Sequence, residues 1–247
     1  MIPWFDASTF TVLRTPVPTQ GLLAIVGIAI GHYVFSRWLQ RHLRLTPLRA
    51  DQFGFATVTA AVLVGHLVAV VLTGSYAAIL QVAAPQSSLG ALFGGGLIGL
   101  WLIWHWELDV PVVLDAAAWA FLHGWPFVRL GCVLVHDHPG RVSSLPFAVA
   151  FPSGSRLDIG LLEWVGCLGM LAFGRLLMRS APIQGRLAAW ATLQFSALRL
   201  ILEFLRVDSV QDLTQPANLT SILTCLAGLI IGAFLWRISR PVAADPE

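Results

Sequence analysis

The chain has 247 residues, of which 57% are hydrophobic and only 11% are charged, and its mean hydropathy is +0.77. Because a soluble domain carries about 25% charged residues, this composition excludes an ordinary soluble domain and indicates a protein that crosses a membrane several times. The net charge of +2 is not concentrated in one basic cluster, which argues against nucleic-acid binding.

Residues 1–19 mix prolines and aromatic side chains without a regular period, and we expect them to form an external segment. Seven apolar stretches follow, and their lengths approach the roughly 20 residues that cross a hydrocarbon core. They lie at about 20–38, 54–73, 89–105, 110–125, 159–178, 187–205 and 218–236. We therefore predict an all-α membrane protein with about seven transmembrane helices in a single polytopic domain, residues 1–247.

The arginines predict how these spans are oriented. They follow the first span, connect the fifth and sixth, and follow the seventh, and the positive-inside rule makes such flanks cytoplasmic. This places the N-terminus and the segment 125–158 outside and the C-terminus in the cytoplasm. The arginines concerned are Arg37, Arg41, Arg44, Arg49, Arg175, Arg179, Arg186, Arg237 and Arg240.

A polar segment interrupts the apolar pattern after the fourth span. It contains Arg129 and the triplet His136-Asp137-His138, and charged groups are costly enough beside a bilayer to suggest a function. Histidine exchanges protons near neutral pH, so we predict that His136 or His138, with Asp137, is catalytic; a structural turn is the alternative. Adjacent residues are a poor match for one closed zinc site, and we expect no metal and no cofactor.

Later in the same segment, Leu145-Pro-Phe-Ala-Val-Ala-Phe-Pro-Ser-Gly154 has the composition of a short strand that ends in a Pro-Ser-Gly turn. This pattern predicts a small external arm or β-hairpin between the fourth and fifth helices.

The sixth span contains Arg199 and Glu203, with Arg206 beyond them. Residues four apart are neighbours on a helix, so the first two can form an ion pair that lowers the cost of carrying charge into the bilayer. A guanidinium with unused donors can also bind a phosphodiester, because its planar fork matches that group. Both interpretations are open from the residues alone, as are the roles of Asp158 and Glu163 near the start of span five.

Short motifs connect these features over nearly the full length. They include Gly94-Gly-Gly96 in span three and Arg129-Leu-Gly131 after span four. They continue with Gly140-Arg141, the stretch 145–152, and Arg199-x-x-x-Glu203-Phe-x-Arg206 in span six. In these motifs, in their order and in the inferred topology, the chain resembles the bacterial prolipoprotein diacylglyceryl transferases.

The resemblance implies an enzyme of the bacterial plasma (inner) membrane that moves the diacylglyceryl group of phosphatidylglycerol to the cysteine thiol of a lipoprotein precursor. Its implied partners are therefore phosphatidylglycerol, or another anionic phospholipid, and that precursor. The arginines would hold the phosphate, a glutamate would orient them, and glycines would let the backbone approach the headgroup. Carried over by position, these residues are Arg129, Arg199, Arg206, Glu203, Gly131 and Gly140.

The chain also departs from the family pattern. The replaced positions are Gln20 (tyrosine in the family), Gly94 (histidine), Cys132 (asparagine) and Asp137 (glutamate), and His136 and His138 are additional. The alternatives are therefore a divergent member that acts on another acceptor, or a non-catalytic lipid-binding membrane protein. A transporter is disfavoured because the two halves show no obvious repeat.

Overall fold

Seven α-helices dominate the computed structural model, which describes residues 1–12, 14–74, 76–80, 87–180, 183–206 and 216–241. They are α1 Thr19–His42, α2 Pro47–Thr73, α3 Ser88–His105, α4 Val110–Val135, α5 Ile159–Ser180, α6 Arg186–Glu203 and α7 Pro216–Ile238, with a 3₁₀ helix at Tyr76–Leu80. Within the described ranges, six of these helices are long and apolar enough to cross a membrane. The predicted helical class is confirmed, and the chain is a multi-pass membrane protein.

Helix α6 is the one of the seven that does not meet this criterion. It closely matches the predicted span 187–205, but it carries Arg186, Arg199 and Glu203 within its 18 residues. Ionisable side chains at bilayer depth usually face the protein interior and pair with one another. Glu203 is indeed buried, so α6 depends on its neighbours more than an apolar span does.

Helix α4 is longer than we predicted. The expected end at residue 125 was wrong, because the helix continues through Pro126 to Val135. A proline inside a helix removes one backbone hydrogen bond, but the apolar residues that follow it sustain the helix. The helix ends at His136, whose φ of 52° is left-handed. Arg129 and Cys132 therefore lie on a regular helix, one turn apart, instead of in a loop.

Eight short strands accompany the helices in the part of the chain that the structure describes. They are β1 Ile2–Pro3, β2 Thr9–Val12, β3 Thr15–Pro18, β4 Pro139–Val142, β5 Val149–Phe151, β6 Gly154–Asp158, β7 Ile183–Gln184 and β8 Arg240–Pro241. Four of them form one sheet in the order β1-β5-β6-β4, while β2 pairs with β3 and β7 with β8.

The β5–β6 hairpin confirms the small β element predicted between helices four and five. Its strands pair from Val149 opposite Arg156 to Phe151 opposite Gly154, and Gly154 takes a φ of 112° that only glycine adopts readily. The N-terminal segment adds β1 in parallel to β5, a pairing that its sequence did not predict. The sheet is therefore assembled from distant parts of the chain.

Internal contacts divide the chain into two units, Met1–Gly31 with Ala117–Glu247, and His32–Ala116. In the second unit α3 packs closely on α2, since a Cβ on Gly94 would lie 2.6 Å from the carbonyl oxygen of Ala60. In the first unit α1 and α4 approach equally closely, because a Cβ on Gly27 would lie 2.6 Å from the carbonyl oxygen of Gly124. The first unit contains every site residue predicted from the sequence. The single domain expected over residues 1–247 stays a prediction.

Candidate active site

A buried carboxylate joins helices α4, α5 and α6. Glu163, on α5, has a fully buried side chain, and each of its oxygens meets a different arginine. Arg129 Nε of α4 lies 2.7 Å from Oε1, and Arg199 Nη1 of α6 lies 3.1 Å from Oε2. Two guanidiniums from separate stretches of the chain are thereby brought to one point.

The same arrangement continues along α6. Arg199 Nη2 lies 3.5 Å from Oε2 of Glu203, as the spacing of four residues predicts, and Arg206 Nη1 lies 3.7 Å from the same oxygen. Acid and base alternate through five residues, which we call the arginine cluster: Arg129, Glu163, Arg199, Glu203 and Arg206. Three cations against two anions leave an excess positive charge.

The arginine cluster is preorganised and yet reachable. The side chains of Arg129, Arg199 and Arg206 are 12%, 20% and 30% exposed, whereas both carboxylates are buried. Trp125 supports the buried end, because its ring lies 4.9 Å from the Arg129 guanidinium carbon and its Nε1 donates to Glu163 Oε1 over 3.5 Å. Fixed cations with donors left over can bind an anion, and a low-dielectric surrounding strengthens that interaction.

A second set of polar contacts starts from Arg129. Its Nη1 donates to Cys132 Sγ at 3.6 Å, and Gln20 Nε2 of α1 donates to the same sulfur at 3.5 Å. Gln20 Nε2 also donates to Asp137 Oδ2 at 3.1 Å, and Asp137 Oδ1 lies 3.3 Å from His138 Nδ1. We call Gln20, Cys132, Asp137 and His138 the turn cluster.

His136 belongs to neither cluster. Its Nδ1 lies 2.6 Å from Asp158 Oδ2, and the other Asp158 oxygen caps α5 by accepting from the backbone N–H of Leu161 at 3.1 Å. Within the described residues its buried Nε2 has no hydrogen-bond partner. The rings of Phe5 and Phe151 flank the imidazole at centroid distances of 4.7 and 5.6 Å. The geometry is that of an imidazole oriented by a carboxylate with its second nitrogen unused.

Comparison with known proteins identifies the family of the chain. The family model for prolipoprotein diacylglyceryl transferase matches residues 8–236. The chain belongs to that family. Proteins named phosphatidylglycerol--prolipoprotein diacylglyceryl transferase from Sinorhizobium medicae and Rhizobium meliloti are each 27% identical to it, with 98% of this chain and 94% of theirs covered. The protein of that name from Actinobacillus pleuropneumoniae serotype 3 is 24% identical, with 98% and 97% covered.

In this family member the structure brings together only some of the residues predicted for the site. Arg129, Arg199, Glu203 and Arg206 do form one cluster. The catalytic pair was predicted as His136 or His138 with Asp137. His136 contacts Asp158 instead of Asp137, whereas His138 does contact Asp137. The catalytic role of either histidine stays a prediction.

The two predicted glycines pack against other parts of the protein. A Cβ on Gly131 would lie 3.1 Å from Gln20 Cα, so this glycine lets α4 approach α1. A Cβ on Gly140 would lie 2.9 Å from the carbonyl oxygens of both Leu157 and Leu205. The bridge between Gly140 and Arg206 holds the end of α6 against β4. Approach of these glycines to a lipid headgroup stays a prediction.

Sequence reasoning missed the centre of the arginine cluster. Glu163 was left ambiguous because a spacing of four residues reveals a partner on the same helix, whereas its partners are on α4 and α6. The available signal was an acidic residue one turn into an apolar span, which by default is functional. Asp158 carried a weaker signal, since it occupies the N-cap position ahead of α5.

Proposed function

We propose that the chain transfers the diacylglyceryl group of phosphatidylglycerol to the cysteine thiol of a lipoprotein precursor. The observation that carries this proposal is the convergence of Arg129 and Arg199 on Glu163, with Arg206 linked through Glu203. Such a set of partly exposed cations suits a phosphodiester with one negative charge. The family membership supports the same substrate class.

In this reaction the thiolate sulfur of the precursor attacks the phosphate-bearing carbon of the diacylglycerol moiety. A carbon–sulfur bond forms, the carbon–oxygen bond breaks, and glycerol phosphate leaves with the bonding electrons. Negative charge therefore grows on the departing phosphate, where Arg129 and Arg199 are placed to stabilise it. Preorganised donors of this kind usually supply the largest share of catalysis, because they need no reorganisation during the step.

The thiol proton needs an acceptor, and we assign that role to His136. Asp158 orients the imidazole through Nδ1, and Nε2 has no partner among the described residues. A carboxylate that orients the base while leaving its second nitrogen available is the arrangement found in nucleophile-activating sites. His138 with Asp137 is the competing pair, and comparison of His136→Ala with His138→Ala separates the two.

The decisive experiment uses the purified chain in phosphatidylglycerol vesicles with a precursor peptide. Mass spectrometry should detect a diacylglyceryl thioether on the acceptor cysteine and an equal amount of glycerol phosphate. The same peptide with serine at the acceptor position is the control, and Arg129→Gln should reduce the yield of both products. Absence of the thioether from folded protein with both substrates would rule the proposal out.

A divergent acceptor is the second candidate, and the turn cluster favours it. Gln20, Cys132 and Asp137, all departures from the family pattern, contact one another beside Arg129. An altered surface at that position would receive a different nucleophile. Lipid mass spectrometry after overexpression tests this alternative, since a new diacylglyceryl product in place of peptide modification would favour it.

We infer that the N-terminus lies outside the plasma membrane and the C-terminus in the cytoplasm. The arginine distribution supports this orientation, and an odd number of crossings, with α6 as one of them, agrees with it. Reporter fusions test this orientation. A reporter that is active only in the periplasm should be active when fused ahead of residue 1 and inactive when fused after residue 247. The opposite pattern would reverse the orientation.

A further inference from the structure

The turn cluster contains the donor set of a metal site. Cys132 lies in the last turn of α4, and Asp137 and His138 follow it in the turn before β4. One ligand atom from each of the three, a sulfur, a carboxylate oxygen and an imidazole nitrogen, lies within 4.8 Å of the other two. From these positions we infer that Cys132, Asp137 and His138 bind a thiophilic divalent cation, with Zn²⁺ as the best match.

The spacing suits such an ion after small side-chain rotations. Tetrahedral zinc, with its usual bond lengths to sulfur, nitrogen and oxygen, holds its ligand atoms about 3.3 to 3.6 Å apart. Asp137 Oδ1 and His138 Nδ1 already lie 3.3 Å apart. The sequence alone suggested the triplet His136-Asp137-His138 and made a metal improbable. The structure turns His136 away towards Asp158 and puts the Cys132 sulfur in its place.

Gln20 marks where the cation would lie. Its Nε2 donates to both Cys132 Sγ and Asp137 Oδ2, so an acceptor at the end of α4 and one in the turn that follows converge on one donor. A cation satisfies the same two acceptors. A half-turn of the Gln20 amide puts its oxygen where Nε2 now lies, beside Cys132 and Asp137, and from there this oxygen can act as a fourth ligand to a cation held between them.

The local charges permit a dication. Arg129 Nη1 approaches Cys132 Sγ at 3.6 Å, and Glu163, which lies 2.7 Å from Nε of this arginine and is shared with Arg199, offsets part of its charge. On binding, the thiol proton is released and the resulting thiolate joins the Asp137 carboxylate, so two negative charges face the ion. Asp137 and His138 are 27% and 28% exposed, which leaves a route of entry.

Thiolate, imidazole and carboxylate together select zinc over magnesium or calcium, which prefer oxygen ligands alone. The four residues of the turn cluster are also positions where the sequence differs from the family pattern or adds to it. Their convergence gives these differences a shared chemical role. Metal binding itself does not depend on the proposed transferase activity, and its test uses spectroscopy instead of turnover.

Co²⁺ is the probe, added to the untagged full-length chain in detergent micelles. One equivalent should produce visible bands of four-coordinate Co²⁺ and a near-ultraviolet sulfur-to-cobalt charge-transfer band, and equimolar Zn²⁺ should remove both. Cys132→Ser should abolish the charge-transfer band, and His138→Ala should weaken binding at least about tenfold. Cys225→Ser and His105→Ala, which lie outside the turn cluster, should leave the spectrum unchanged.

The proposal is overturned by a wild-type spectrum without charge transfer, or by a charge-transfer band that persists in Cys132→Ser. A measurement on the wild-type chain avoids any folding defect of the variants. X-ray absorption of the one-to-one Zn²⁺ complex should show a single sulfur neighbour beside nitrogen and oxygen. A zinc environment of nitrogen and oxygen alone would contradict the assignment.

Discussion

The arginine cluster and the turn cluster meet at Arg129, but they are held in different ways. The arginine cluster draws its members from α4, α5, α6 and the residues just after α6, and both of its carboxylates are buried. The turn cluster consists of residues at the end of α4 and in the turn that follows, together with Gln20 of α1, and its Asp137 and His138 side chains are each more than a quarter exposed. Helix packing fixes the side chains of the arginine cluster, whereas those of the turn cluster can exchange one hydrogen-bond or metal partner for another.

This difference separates two kinds of polar site. Guanidiniums stay charged at every physiological pH, so the arginine cluster has a constant charge, which suits the lipid phosphate that we propose as its ligand. Thiol, imidazole and carboxylate groups exchange protons and metals, so the turn cluster can be modified without changing the charge of the arginine cluster. Substitutions in the first should therefore have larger effects on transfer than substitutions in the second.

The largest effect is expected for Glu163→Gln, which leaves Arg129 and Arg199 without their shared acid. Breaking a buried ion pair on one side costs about 3 to 5 kcal/mol of stability. Misplacement of both phosphate ligands should lower kcat by about 10³-fold. Transferase assays and thermal unfolding in the same detergent measure the two effects. Glu163→Asp, which keeps the charge on a shorter side chain, is the matched control. Its kcat and stability should lie between those of the wild type and those of Glu163→Gln.

A near-normal rate for Glu163→Gln would contradict the contrast between the two clusters, because the buried acid would then be unnecessary for positioning the arginines. The rate of Glu203→Gln measured in parallel distinguishes a shared role of the two acids from a special role of Glu163. We expect the second substitution to have the smaller effect, since its contacts at 3.5 and 3.7 Å are longer than those of Glu163.

Asp158→Asn comes next and tests the orienting contact with His136. Asparagine keeps an oxygen that can cap α5, so stability should change little, while the imidazole loses its carboxylate. The loss of a correctly oriented base should lower kcat by about 10²-fold with little change in KM. Asp137→Asn is the matched control within the competing pair. A larger loss of kcat in Asp137→Asn than in Asp158→Asn would assign the general-base role to His138.

The sequence alone predicts the helices better than it predicts the contacts within the site. The apolar spans and the β-hairpin follow from composition and local turn residues, and they were predicted closely. The end of α4 was missed because the polar segment with Arg129 interrupts the apolar pattern, whereas the helix continues through it to Val135 and packs against α1 at Gly131. Contacts such as Arg129–Glu163 and His136–Asp158 join residues far apart in the chain, and no local spacing predicts them.

Arg129→Lys keeps the charge of the buried end of the arginine cluster and removes the planar fork. Lysine cannot approach Glu163 and a phosphate oxygen with the same geometry. Loss of one charge-assisted hydrogen bond should lower kcat/KM about tenfold. The assay is run against a phosphatidylglycerol concentration series to separate binding from turnover. An unchanged kcat/KM would mean that charge alone suffices at this position.

Arg206→Gln should have the smallest effect, because Arg206 is the most exposed of the three arginines and its contact with Glu203 is the longest in the cluster. Arg206 is the partly exposed member of its pair with the buried Glu203, and ion pairs at a surface contribute only about 0.2 to 1 kcal/mol, so we expect at most about a fivefold loss in kcat/KM. Salt screens exposed charges more than buried ones. The deficit of Arg206→Gln should therefore shrink as ionic strength rises, whereas that of Arg129→Lys should stay constant. Equal salt dependence of the two variants would show that both arginines contact the lipid in the same solvent-exposed environment. It would then follow that helix packing does not shield Arg129 from solvent more than Arg206.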